Sequence, residues 1–106
     1  MTISRNEVSA IIAHEIGDDW SHTNAHGVDL LKCLVTPERK RYIGPIKDDE
    51  TFDLWLVLEE DPETRNGYKI VFDETKKMFG LALVDDRDRH VFIGYYGTFM
   101  ETLDAM

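Results

Sequence analysis

Cysteine occurs once in this chain of 106 residues, at Cys33, so no disulfide can form within it. A lone thiol fits a reducing compartment, and the expected location is cytoplasmic. Long apolar runs are missing too. None approaches the roughly 18 residues of a membrane-spanning helix, and 31% charged residues argue against a membrane protein. The stretch Met1-Thr2-Ile3-Ser4-Arg5 has no basic region leading into an apolar one, so no secretory signal is expected. Basic residues are scarce, with 12 Lys+Arg against 21 Asp+Glu and a net charge of −9. That balance repels phosphate backbones and speaks against nucleic acid as a partner; it suits solubility or a basic protein partner. Serine appears only as Ser4, Ser9 and Ser21, none of them set in a nucleophile elbow.

What is present is periodicity. Phe52, Leu54, Leu56 and Leu58 alternate with Asp53, Trp55, Val57 and Glu59; beyond Asn66-Gly67, Tyr68, Ile70 and Phe72 alternate with Lys69, Val71 and Asp73. Alternation on both sides of an Asn-Gly pair is a strong hairpin signal, since tight primed turns need positive φ. Glu60 to Arg65 makes the connection longer than two residues, which predicts a bulge or wider turn. Trp55 and Val57, on the nominally outer face, predict that both faces of the central strands are partly covered.

Around this hairpin the chain reads as one α+β domain. Ser4 and Glu7 form a capping box, with Ile3 and Val8 as a staple. Val8, Ile11, Ile12 and Ile16 follow at helical spacing and Gly17 ends the run, predicting a helix over about 5–16. Residues 18–27 read as a loop. Val28 to Val35 fits helix or strand, and strand is favoured because Thr36-Pro37 follows; Arg39 to Ile43 is a possible partner strand before Gly44-Pro45. Lys47 to Thr51 and Asp73 to Lys77 read as turns. Met78 to Val84 is a strand with Phe79, Leu81 and Leu83 on one face and the small Gly80 and Ala82 on the other. Asp85 to His90 is a charged turn and Val91 to Tyr96 the last strand. Thr98 and Glu101 repeat the capping box before a short helix carrying Phe99, Leu103 and Met106, which must dock on the sheet to persist. The expected architecture is an N-terminal helix, an antiparallel meander of five to six strands and a docked C-terminal helix.

Candidate chemistry is thin. His14, His22, His26 and Cys33 fall close together in sequence, but their spacing fits no established zinc pattern, and no metal or cofactor is expected. Cys33 lies in the apolar Leu31-Lys32-Cys33-Leu34, which suits a buried inert thiol rather than a nucleophile. Gly94-Tyr95-Tyr96-Gly97 opens a helix but lacks the Lys-Ser/Thr pair of a phosphate loop. Arg39-Lys40-Arg41 beside Tyr42 is a small basic cluster, read as charge protecting a strand edge. In a meander the 59–65 and 85–90 turns share one end, gathering Glu59, Glu60, Asp61, Glu63, Asp85, Asp86 and Asp88 into an acidic pole diluted by Arg65, Arg87 and Arg89. A second candidate is a pocket between the sheet and the 18–27 loop, where Trp20, His22, His26 and Trp55 could converge.

The segments His26-Gly27-Val28-Asp29-Leu30, Trp55 to Glu60, Gly67 to Phe72, Phe79-Gly80-Leu81-Ala82 and Gly94 to Phe99 together resemble small uncharacterised bacterial α+β proteins. That group brings no known activity, so the resemblance implies a fold and no catalytic residues. In size and acidity the chain is also similar to bacterial toxin-immunity proteins. The expected function is a non-enzymatic binding or interaction domain that engages a protein partner through the acidic pole. The alternative is a small-molecule binder or enzyme using the 18–27 pocket. A homodimer through an exposed edge strand is a third expectation.

Overall fold

The computed structural model describes residues 3–47 and 49–106. The chain opens with α1 (Arg5–Ile16), a single helical turn α2 (Leu30–Cys33), then strands β1 (Leu34–Ile43), β2 (Thr51–Asp61), β3 (Asn66–Asp73), β4 (Met78–Val84) and β5 (His90–Gly97), and ends with α3 (Phe99–Ala105). Consecutive strands pair antiparallel, giving the expected meander, with five strands of the five to six anticipated. The sheet also closes on itself. β1 and β5 meet in parallel through one bridge, Ile43 with Val91, and the result is a five-stranded barrel.

Both capping boxes form. The Glu7 N–H donates to Ser4 Oγ at 3.2 Å while the Ser4 N–H donates to the Glu7 carboxylate at 3.4 Å. At α3, the Glu101 N–H donates to Thr98 Oγ1 at 3.1 Å and the Thr98 N–H donates back to Glu101 at 3.3 Å. Gly17 ends α1 at φ 60° and donates its N–H to the Ala13 carbonyl. α1 buries Val8, Ile12 and Ile16. At about 2 kcal/mol for each such side chain, this stripe rather than intrinsic propensity holds α1 against the barrel. α3 docks beside it through Phe99, whose ring meets Phe79 edge-on at 5.5 Å, and through the Phe99 N–H donating to Glu15 at 3.0 Å.

Two cores result. The outer one lies between the helices and the barrel wall and takes Ile70, Phe72, Phe79 and Leu81 from the sheet. The inner one fills the barrel with Tyr42, Leu54, Val71, Ala82 and Phe92. Gly80 lines this interior where space is tightest. A Cβ there would stand 2.3 Å from the Gly94 carbonyl and 2.7 Å from the Phe92 ring.

Three expectations need correction. Val28 to Val35 is strand only from Leu34: before it, the Asp29 carboxylate accepts from the Leu31 N–H at 3.0 Å and caps the turn Leu30–Cys33, whose Leu30 and Cys33 are both buried. The separate Arg39–Ile43 strand merges into β1, which passes straight through Thr36-Pro37. Pro37 falls in an irregular stretch between the Leu34 and Glu38 pairings, where its missing N–H breaks no ladder bond. The β2–β3 reversal lies at residues 62–65, with Arg65 at φ 63°, while Asn66 and Gly67 already belong to β3.

Candidate functional site

A register shift in β2 creates the most unusual environment in the barrel. Before it, Leu54 and Leu56 face the interior and Trp55 packs outward. Leu56 pairs with Val71, yet Leu58 pairs with Ile70, so Val57 is an extra residue on the strand. Such a bulge inverts the alternation beyond it. Leu58 therefore joins the outer core, and Glu59, next in line and paired with Lys69, turns into the barrel. The simple period-two reading put Leu58 with Leu54 and Leu56, and Glu59 opposite; the bulge exchanges them.

Glu59 and Lys69 are consequently buried, each with a side chain only 3% exposed. Their charged atoms stand 3.9 Å apart. Arg65 closes the cluster, donating from Nε to Glu59 at 3.0 Å, while Lys69 donates to the Arg65 backbone carbonyl at 2.7 Å. These residues, with Lys40, Leu56, Val84 and His90, line a recess of about 240 Å³ at the barrel mouth, beside the β2–β3 and β4–β5 turns. Glu38 stands at the rim, 4.0 Å from both Lys40 and Arg65. Among the described residues the mouth thus carries three cations against two carboxylates, on a chain whose net charge is −9.

Electrostatics follow burial. Lys69 is held below its ordinary range by desolvation, with Glu59 pulling the other way. His90 is depressed by burial first and then by Lys40, Lys69 and Arg65, which keeps its ring neutral at pH 7. Behind His90, Tyr42 is fully buried, its ring edge-on to the imidazole at 5.9 Å. Its phenol is pushed well up, chiefly by desolvation and then by the charges of Glu59 and Glu38. Among the described residues, the Tyr42 hydroxyl and His90 Nδ1 are buried without a hydrogen-bond partner. Buried polar groups are nearly always paired, so these two stand out from the rest of the interior.

The acidic pole is largely spent on local structure. Glu59 is inside the barrel. Glu60 pairs with His26 at 2.8 Å and accepts from the Tyr68 N–H at 3.0 Å. Thr64 holds the Asp61 carboxyl below the usual range, first through its side chain and then through its N–H, which donates to Asp61 at 3.3 Å. Asp85 accepts from the Arg87 and Arg89 N–H groups and from the Arg89 side chain, which depresses it likewise. Glu63, Asp86 and Asp88 are exposed on the two turns.

The residues of the second candidate pocket separate. Trp20 and His22 share a surface recess with Val28 and Leu31. His26 instead packs its ring on Tyr68 at 5.8 Å. Trp55 lies beneath Arg39, whose guanidinium carbon is 5.5 Å from the ring, and donates to Glu74 at 3.3 Å. His22 faces α3 and meets Asp104 at 2.7 Å. Cys33 is buried with its thiol 3.6 Å from the Glu60 carbonyl, and His14 is exposed on α1. Among the described residues, no three His, Cys, Asp or Glu side chains gather as a metal site.

Sequence reasoning missed Lys40, Lys69 and His90 as members of one site. The basic cluster is split by strand alternation: Arg39 and Arg41 lie outside, with Glu74 and Asp53, while Lys40 and Tyr42 point inward. One signal was available, namely Lys69 sharing a strand face with the apolar Val71. No family model, curated protein or solved structure matches this chain, so its function is read from its geometry.

Proposed function

We propose that this chain is a non-enzymatic cytoplasmic binding domain that holds a small anion at the mouth of its barrel. One observation carries the reading: Lys40, Arg65 and Lys69 converge on a concave recess whose one lining carboxylate, Glu59, is already engaged by two of them. Cations held in a partly desolvated cleft attract a carboxylate far more strongly than the same charges on an open surface. The recess is smaller than a drug-sized site, which points to a small metabolite. Titration with butanoate at low ionic strength, followed by amide NMR, tests this. Shifts concentrated at Lys40, Lys69 and His90, weakened by Arg65→Ala and by added salt, are expected. Shifts scattered over the surface, or none, would reject the site.

A second reading, capture of a basic protein partner, has its own support. Glu63, Asp86 and Asp88 are exposed on two turns at the same end of the meander. Replacing all three with their amides should weaken capture of a lysine-rich peptide and leave butanoate binding intact. Dimerisation through the barely joined edges of β1 and β5 belongs to the same class of reading, and light scattering after gel filtration decides it.

A further inference from the structure

We propose that the recess between the 18–27 loop and α2 is a docking surface for a basic segment of a protein partner, one carrying an apolar side chain between lysines or arginines. This surface shares no residue with the barrel mouth. Trp20 and Leu31 are two of the four large apolar side chains exposed among the described residues, at 37% and 77%. They line one recess of about 410 Å³ together with the buried Val28. Tryptophan anchors interfaces because it offers a large rigid area and loses little rotamer freedom on burial. Both side chains sit on backbone tied down by hydrogen bonds. The Thr23 hydroxyl donates to the Val28 carbonyl at 2.8 Å. The Asn24 side chain accepts from the Val28 N–H at 3.2 Å and donates to the Leu103 carbonyl at 2.8 Å. Asp29, by capping α2, fixes the turn that carries Leu31. A surface ordered beforehand gives up little freedom when a partner arrives.

Charge names the occupant. Asp29 lines the recess, and Asp19 and Asp104 stand 3.6 and 2.7 Å from His22, another of its walls. All three aspartates are exposed. Among the described residues no lysine or arginine lines the recess, and its one imidazole is balanced by its own two aspartates. Lys32 follows Leu31 in α2 but is not one of the walls. The phosphates of a nucleic acid or of an anionic lipid surface would meet this rim unfavourably, and so would a second copy of a chain carrying −9. Lysines or arginines meet it favourably, and an apolar side chain between them covers Trp20 and Leu31. An apolar centre inside a polar rim is the ordinary anatomy of a protein interface. A small ligand fits less well, since such sites enclose most of their guest, whereas Leu31 stands largely in water.

The test titrates the intact, isotope-labelled chain with three capped hexapeptides. The first has leucine and phenylalanine between pairs of lysines, the second the same centre between pairs of glutamates, the third glycine and serine between pairs of lysines. The first should shift the Trp20 indole N–H and the Leu31 amide in NMR spectra, less so in added salt. The glutamate peptide should not bind, and the glycine-serine peptide should bind at least about tenfold more weakly. Leu31→Ser should weaken the first peptide about tenfold without lowering the melting temperature, because the side chain is already mostly in water. The triple amide variant at Glu63, Asp86 and Asp88 should bind it as the parent does, which separates this surface from the acidic turns. Butanoate binding should be unchanged by Leu31→Ser, so that either reading can fail without the other. Equal binding of either control peptide, an affinity that survives both Leu31→Ser and Trp20→Ala, or shifts centred on Glu63, Asp86 and Asp88 would overturn the proposal. So would no shift at Trp20 or Leu31 up to about 1 mM peptide. Should Trp20→Ala unfold, Leu31→Ser decides alone.

Discussion

Glu59→Gln preserves shape and removes one charge, and its consequences for stability and binding run in opposite directions. Glu59 accepts from Arg65 at 3.0 Å and lies 3.9 Å from the equally buried Lys69 ammonium. Removing one member of a buried ion pair costs about 3–5 kcal/mol. Two features lower that figure here. Lys69 keeps its bond to the Arg65 carbonyl at 2.7 Å, and Arg65 is more than half exposed and so screened by water. A loss of about 2–3 kcal/mol is expected, which for a domain of this size lowers the melting temperature by about 10 °C. The loss depends on pH. Burial already depresses Lys69, and without Glu59 it is depressed further. A base depressed in the native state binds fewer protons folded than unfolded, so stability rises with pH between its native and unfolded ranges. The deficit of Glu59→Gln is thus full at neutral pH and shrinks towards alkaline pH as Lys69 sheds its proton. Urea denaturation at pH 7 and 9.5 measures both effects. A double-mutant cycle with Lys69→Met should show a coupling of at least about 1 kcal/mol. Meanwhile the weakened variant, with one fewer carboxylate in the mouth, should bind butanoate more tightly than the parent. A deficit under about 0.5 kcal/mol, or strict additivity in the cycle, would refute the account of a buried, mutually dependent pair.

Gly80→Ala should cost about 1–3 kcal/mol, the usual range for overpacking, because its Cβ would meet the rigid Gly94 carbonyl as well as the Phe92 ring; chemical denaturation measures it. Thr98→Ala removes the cap of α3 and should cost about 1 kcal/mol, with early fraying visible as faster amide exchange at Glu101 and Thr102. His22 is raised above its ordinary range by its hydrogen bond to Asp104, so its contribution is present below the unfolded value and fades as pH climbs through the folded one. His22→Gln should remove that part of the decline in melting temperature between pH 6 and 8; an unchanged slope would show that the contact contributes nothing.

The elements were legible wherever local rules and tertiary packing agree. The two capping boxes, Gly17 as a stop, the four C-terminal segments and the close approach at Gly80 all follow from residue type and spacing. Legibility failed where a longer-range demand competed with a local one. Asp29 found a backbone N–H to cap and made a turn of an apolar run that reads equally well as strand. Pro37 was tolerated in a strand because it sits where register is already broken. The site suffered most. One extra residue at Val57 decides whether Glu59 meets solvent or the interior, and nothing in the local alternation announces it. Barrel closure was likewise hidden, since it depends on accumulated twist and bend rather than on any single segment.

Four of the five joints in the barrel wall are laced along much of their length, whereas the fifth is fastened at Ile43 and Val91 alone. The chain neighbours of that lone stitch are Tyr42 and His90. Opening costs least where the fewest backbone bonds must break, so this seam parts before the rest of the wall yields. The wholly buried phenol of Tyr42 therefore sits directly beside the least secured joint of the wall.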